Sequence, residues 1–247
     1  ACSSVHAQQV LRFLSWQDYF DPEVIEDFQR STGVRVEYQG FTTAEELMQA
    51  MQSSTAYDVI VPSHFMLKEL VEANRLAPLD TSRLAHYKQF DPWLLSILAG
   101  QPAANGHVVP YLWGSVGMVV NAKVAQAAYG APLASSWSLL FESQQVSRLF
   151  GCGVGLIDAP QEVASLMLNY KGRNPTVSSP RQIAKALQPL EPLMPKFAEL
   201  NNWAYIEALA QGKLCLAMSW SGHALRAIER NPALSYVIPD EGAAMYI

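Results

Sequence analysis

This chain is short of charge, of cysteine and of long apolar runs, and each shortage closes off a class of function. Only 16% of its 247 residues are charged, with a formal net charge of −5. It has no basic block and no basic-aromatic stripe, which argues against nucleic acid as a partner. It has no run of about 18 or more apolar residues, so no transmembrane helix is expected. The most apolar stretch, residues 108–120, is interrupted by Pro110, Gly114 and Gly117. The five histidines (His6, His64, His86, His107, His223) show no metal-ligand spacing with one another or with the cysteines, so no metal is expected. No Walker loop is present. Gly151, Gly153 and Gly155 precede or lie within an expected strand instead of opening a helix, so they are not a dinucleotide fingerprint and no cofactor is expected. Val61-Pro62-Ser63-His64 is not the Gly-x-Ser-x-Gly elbow of a serine hydrolase. A cysteine nucleophile would need a positioned base, and none is legible. Asp158 and Glu162 could serve acid–base work, but with no partner set binding is the simpler role. No catalytic residue is assigned, and the chain is not expected to be an enzyme.

What is present points to a packed α/β protein. Half of the residues are hydrophobic, enough for one large domain or two lobes. The first eighty or so residues alternate strand and helix. Val10–Leu14, Val34–Tyr38 and Asp58–Val61 read as strands. Pro22–Ser31, Ala44–Gln52 and His64–Asn74 read as helices. Asp21 is the expected cap of the first helix, Pro22 its first residue and Gly33 its stop. This alternation implies a parallel sheet with helices on its faces.

A second α/β set follows an irregular stretch that holds one helix near 92–98. Val108–Pro110 and Val116–Asn121 read as strands flanking Tyr111-Leu112-Trp113-Gly114, the expected hinge. Helices are expected at 138–141, 161–170, 180–190, 205–211 and 221–230. Strands are expected at 153–157, 214–218 and 234–238.

The N-terminus reads as a processing remnant. Val5-His6-Ala7 fits a signal-peptidase site, and Ala1-Cys2 fits a lipoprotein signal end with Cys2 lipidated; both point to export. With Cys2 set aside, Cys152 and Cys215 remain. An exported protein can join such a pair, although two buried thiols would show the same spacing.

Polar and aromatic residues recur at strand ends: Trp16 to Tyr19, Ser63, Asp158 and Trp220. Ligands of open α/β sheets bind at the carboxyl ends of strands. An indole, a phenol and a carboxylate at one such end (Trp16, Tyr19, Asp18) suit a ligand with a cationic head and an apolar body.

Five segments together carry a family resemblance. They are Phe13-Leu14-Ser15-Trp16-Gln17-Asp18-Tyr19, Tyr57-Asp58-Val59-Ile60-Val61-Pro62-Ser63, Val109-Pro110-Tyr111-Leu112-Trp113-Gly114, Ile157-Asp158-Ala159-Pro160-Gln161-Glu162 and Met218-Ser219-Trp220-Ser221-Gly222. In order and in register, the chain resembles the spermidine/putrescine-binding periplasmic proteins, the solute receptors of polyamine ABC importers. The resemblance implies a type II periplasmic binding fold: two α/β lobes joined by a hinge, with a ligand cleft between them. After the expected signal remnant at 1–7, it implies a first lobe at 8–112, a second at 113–226 and a return segment toward the first lobe at 227–247. It implies a polyamine or related amine as ligand, a membrane ABC permease as partner, a monomer and a periplasmic location.

The resemblance places Trp16, Asp18, Tyr19 and Ser63 in the first-lobe part of the site, and Glu162, Trp220, His223 and Tyr246 in the second-lobe part. It implies a disulfide between Cys152 and Cys215. It also implies relatives that continue past Ile247, so that this C-terminally truncated sequence is expected to be a fragment, a proteolysed product or a naturally shortened form. Two residues depart from the family pattern. The putrescine-type members carry Asp at the position of His223, and relatives carry a smaller or acidic residue at Gln17. A lost charged hydrogen bond is worth about 1.5–3 kcal/mol, so His223 is expected to redirect specificity, for instance toward a ligand with a carboxylate at that end. The same departure motivates an alternative reading, a sensor or interaction protein on the same fold.

Overall fold

The computed structural model describes residues 8–101 and 104–247. The expected signal remnant and Cys2 lie outside the described residues. The chain divides into two compact units, one ending at Tyr111 and also holding Ile247, the other spanning Leu112–Tyr246.

The first unit is built from β1 (Val10–Trp16), α1 (Pro22–Thr32), β2 (Arg35–Phe41), α2 (Ala44–Gln52), β3 (Val59–Ile60), α3 (Leu67–Glu72) and α4 (Pro92–Ala99). Its sheet runs β2-β1-β3, both neighbours parallel to β1, because a helix crosses between each successive pair of strands. The local signals act as expected. The Asp21 carboxylate accepts from the Glu23 N–H at 2.9 Å, Pro22 opens α1, and Gly33 closes it at φ 74°. Thr43 and Glu46 form a reciprocal capping box on α2. The core is small: Leu14, Phe41, Leu47, Met66 and Leu70 in one cluster, Leu67, Leu98 and Ala104 in another.

Two expectations are corrected here. The helix expected at 64–74 starts as a 3-10 turn over His64–Met66 and ends at Glu72, with Asn74 turned to φ 54°. Residues 108–110 form no strand. Pro110 has no N–H to give a ladder, and Val108 instead packs on the Leu67–Leu98–Ala104 cluster.

The second unit contains β4 (Gly114–Val120), α5 (Ala122–Tyr129), α6 (Ser138–Phe141), α7 (Ser143–Val146), β5 (Val154–Leu156), α8 (Pro160–Tyr170), α9 (Pro180–Leu187), β6 (Glu199–Leu200), α10 (Ala204–Ala210), β7 (Leu216–Trp220), α11 (Ser221–Arg230), β8 (Ser235–Val237) and β9 (Ala244–Tyr246). Its sheet is mixed, in the order β6-β5-β7-β4-β8, with β9 also on β4. β5 is parallel to β6 and β7, whereas β4 is antiparallel to β7, β8 and β9. One continuous core fills this unit, with Trp137, Tyr205 and Phe141 its largest fully buried side chains. Cys152 and Cys215 are joined in a disulfide.

Within 227–247, the segment expected to return toward the first lobe, β8 and β9 complete their ladders on β4 and fall in the second unit. Ile247 alone groups with the first. Its carbonyl accepts from the His64 N–H at 3.0 Å. Glu241 holds the approach to β9 by accepting from Ser136 and from the Trp137 N–H, and the Trp137 indole donates to the Gly242 carbonyl at 2.8 Å.

Candidate functional site

In the first unit, the carboxyl edge of the sheet gathers the four residues singled out there. Trp16 is the last residue of β1, and its indole packs on the core ring of Phe41 at 4.6 Å. The chain then turns tightly: the Gln17 N–H reaches the Phe41 carbonyl at 2.8 Å and the Tyr19 N–H the Trp16 carbonyl at 3.3 Å. Asp18 takes φ 58° at the tip, a left-handed conformation that aspartate tolerates better than most side chains. The turn places Tyr19 beside Trp16, ring centres 6.3 Å apart. Two phenols brace it. Tyr38 donates to the Trp16 carbonyl at 2.7 Å, and Tyr111 donates to the Tyr19 carbonyl at 2.9 Å while stacking on Phe20 at 4.6 Å. Burial raises both phenols above their ordinary pKa, so both remain donors. Ser63 is buried just past β3 and precedes the 3-10 turn. β3 neighbours β1 in parallel, so Ser63 shares the carboxyl edge with Trp16.

In the second unit, Trp220 ends β7 and His223 lies in the first turn of α11. The imidazole lies 4.8 Å from the Trp203 ring and 5.4 Å, edge to face, from Trp220. Its Nδ1 lies 2.9 Å from the Tyr205 hydroxyl. That hydroxyl is 3.1 Å from Ser219 Oγ, and Ser219 donates to the Trp220 carbonyl at 2.9 Å. The Arg226 guanidinium sits over Trp203.

Tyr246 pairs with Gly114 in the β4–β9 ladder, and its hydroxyl bonds the Ser221 side chain. A Cβ on Gly114 would collide with that hydroxyl and lie 2.7 Å from Ser221 Oγ, so only glycine admits this arrangement. Ser221 also accepts from the Ser115 N–H at 3.3 Å. Glu162 is the third residue of α8, and its charge adds to the burial that raises the Tyr246 phenol. Tyr236 donates to the Ser115 carbonyl at 2.9 Å and is pushed up by burial to about 12. Burial raises Tyr205 further still.

Each expected residue thus has a defined place at a strand end or the helix start beside it. The sequence did not reveal Tyr38 and Tyr111 under the first set, or Trp203, Tyr205, Ser219 and Arg226 around His223. They come from distant strands and helices with no common spacing. Among the described residues, no group of three or more His, Cys, Asp or Glu could hold a metal ion, and no helix is long and apolar enough to cross a membrane.

Comparison with known proteins gives these sets a context. Residues 23–247 match the family model of the bacterial extracellular solute-binding proteins. The chain is 33% identical over 97% of its length to the putrescine-binding periplasmic protein PotF of Escherichia coli K12, of which the match covers 67%. It is 31% identical over 96% of its length to the putrescine-binding periplasmic protein SpuD of Pseudomonas aeruginosa UCBPP-PA14, again covering 67%. The chain therefore spans about two thirds of the length of these relatives. Among solved structures, the spermidine/putrescine ABC transporter substrate-binding protein PotD of Streptococcus pneumoniae is similar with a TM-score of 0.73 and 26% identity, covering 96% of this chain and 70% of that one.

Proposed function

This chain belongs to the bacterial extracellular solute-binding proteins, and we propose that it captures a polyamine or related amine in the periplasm and delivers it to a membrane ABC permease. Its fold is that of the type II periplasmic binding proteins. The observation that supports this reading best is the matched pair of strand-end sets, each with aromatic rings and a carboxylate. Asp18 stands with Trp16 and Tyr19, and Glu162 stands with Tyr246 near Trp220. A carboxylate gives a protonated amine a charge-assisted hydrogen bond. Indole and phenol faces take the methylene chain and attract the adjacent cation. The protein acts by binding and release, as a monomer, with no bond made or broken in the ligand. The relatives named for putrescine favour an importer component over a sensor.

Calorimetric titration with putrescine, spermidine, cadaverine and agmatine tests this. At least one is expected to bind, and Trp16→Ala is expected to weaken it by about tenfold or more through loss of ring contact and cation–π attraction. Absence of binding by all four amines would overturn the ligand assignment.

A further inference from the structure

Asn105-Gly106 is the one Asn-Gly pair in the sequence, and the structure sets it apart from every other asparagine. It lies in the first unit, in a turn over Ala104–His107 closed by the His107 N–H on the Ala104 carbonyl at 3.1 Å. Asn105 and Gly106 are both exposed. Gly106 takes φ 77°, with nothing within 4 Å of where a Cβ would stand. Among the described residues, neither the Asn105 side-chain amide nor the Gly106 N–H makes a hydrogen bond. The His107 ring stands beside the pair, its Nδ1 3.1 Å from the Asn105 backbone carbonyl. A carbonyl only accepts, so Nδ1 is the donor.

The other asparagines are held, or lack a nucleophile beside them. Asn174 and Asn231 precede proline, which has no N–H. The amide after Asn74 is tied, Arg75 N–H to the Leu70 carbonyl at 2.8 Å. Asn121 is buried, and its side chain accepts from the Val124 N–H at 3.3 Å. Asn169 and Asn202 donate to the Glu241 and Asp158 carbonyls, and Asn201 donates to the Glu199 carboxylate.

We propose that Asn105 is a site of spontaneous covalent modification, in which the Gly106 nitrogen attacks Cγ of Asn105 and the side-chain amide is lost as ammonia. The Gly106 N–Cγ bond forms, the Cγ–Nδ2 bond breaks, and the Gly106 proton leaves with the ammonia. The cyclic imide then takes up water from solvent. Opening at Cγ gives aspartate, opening at the backbone carbonyl gives isoaspartate, and nothing is oxidised or reduced. Glycine leaves its nitrogen unshielded and lets the peptide swing toward Cγ. The His107 Nδ1–H draws charge from the Asn105–Gly106 peptide group, which makes the Gly106 proton easier to remove.

The product changes the first unit locally. A carboxylate replaces a neutral amide, and isoaspartate adds a carbon to the main chain beside Gly106. The Gly106 carbonyl accepts from the Leu79 N–H at 2.7 Å. The chain runs on through Val108, packed on the Leu67–Leu98–Ala104 cluster, to Tyr111, whose hydroxyl holds the Tyr19 carbonyl. Isoaspartate at 105 therefore loosens the Leu79 tie first and the Tyr111 brace after it.

The test holds the full chain at mildly alkaline pH and samples it over time. Peptide mapping by mass spectrometry separates asparagine, aspartate and isoaspartate at every site. Asn105 is expected to convert at least about tenfold faster than any other asparagine, since the held sites must first open. Asn105→Ser should abolish the early release of ammonia. Another asparagine converting first, or Asn105 surviving as long as Asn121, overturns the site.

Two variants read the part of His107. His107→Phe keeps a ring without a donor and should slow conversion severalfold, whereas His107→Gln retains an N–H donor and should keep most of the rate. A rate in His107→Phe equal to or above that of the wild type overturns the assisting role of the imidazole and leaves the site standing. In the converted fraction the Leu79 amide should exchange faster, with the amides of β4 and β7 unchanged. Unchanged exchange at Leu79 overturns the loosening of the first unit.

Discussion

The two units place aromatic rings at strand ends in the same way, with very unequal support. Trp220 ends a strand whose neighbours belong to one continuous core running from Val116 to Leu234. Trp16 ends a strand resting on five buried side chains, Leu14, Phe41, Leu47, Met66 and Leu70. In the first unit α1 buries no residue, and Val24 and Phe28 stay 57% and 42% exposed on it. The Trp16–Tyr19 turn is held by its own backbone hydrogen bonds, by Trp16 on Phe41 and by hydrogen bonds from Tyr38 and Tyr111. The Trp220–His223 turn is held by packing and by the buried Tyr205–Ser219 hydroxyls. Few buried apolar contacts mean low local stability, so the first unit is the yielding partner and the second the fixed one.

Part of the second unit's advantage is covalent, and removing it is the strongest way to break the contrast. The Cys152–Cys215 bond closes a separation of 63 residues. A loop of that size constrains the unfolded chain by about 4 kcal/mol. Replacing both cysteines by alanine should lower the stability of the second unit by about that amount. Hydrogen exchange should show the amides of β5 and β7 losing protection while those of β1 and β2 keep theirs. Equal losses in both sheets would mean that the units unfold as one body, and the contrast would fail.

A single core deletion sharpens the same contrast from the other side. Leu14 is 0% exposed at the centre of the small cluster, between β2 and β3. Leu14→Ala should cost about 3 kcal/mol, a larger share of the first unit's stability than an equal loss in the second. The amides of β1–β3 should then exchange through local opening, with β4 and β7 unaffected. Ligand affinity should fall with it, because Trp16 is two residues away on the same strand. Unchanged exchange in β1–β3 would show that the first unit has support beyond its visible core.

How far this inequality could be read in advance depended on the range of the interaction. Asp21-Pro22 and Gly33 bracket α1 because capping is settled within a few residues. Ala44–Gln52 is legible from its apolar side, Leu47, Met48 and Met51, and the structure adds the capping box of Thr43 and Glu46. α5 was missed although Asn121 and Gly130 cap it, because a strand runs directly into its cap and its alanine-rich face has little apolar period. β9 has three residues, too few for alternation to show. Its place on β4 depends on Gly114 making room for Tyr246. The proposed ligand set, Trp16, Asp18, Tyr19, Ser63, Glu162, Trp220, His223 and Tyr246, rests on motif resemblance. The residues packed around His223 were not legible, since Tyr205 on α10 meets Ser219 on β7 only after the core has formed.

The smallest expected effect concerns pH, and it narrows the contrast instead of reversing it. The second unit buries more phenol. Tyr205, Tyr236, Tyr246 and Tyr170 are all raised with burial as the first cause, and Tyr236 reaches about 12. The first unit has Tyr38 and Tyr111 in that condition. An unfolded tyrosine loses its proton near pH 10, whereas these folded phenols keep theirs. Between those values the folded state binds more protons, so stability is fully present below about pH 10 and declines as pH rises toward the folded values. Tyr236 is only partly buried, and solvent screening reduces its share to about 1 kcal/mol across that window. Tyrosinate absorbance followed with hydrogen exchange should show β4 and β7 losing protection faster per pH unit than β1 and β2. Tyr236→Phe should flatten that slope. A steeper loss in the first unit would mean that Tyr38 and Tyr111, the braces of the Trp16–Tyr19 turn, hold more of its stability than the small core beneath them.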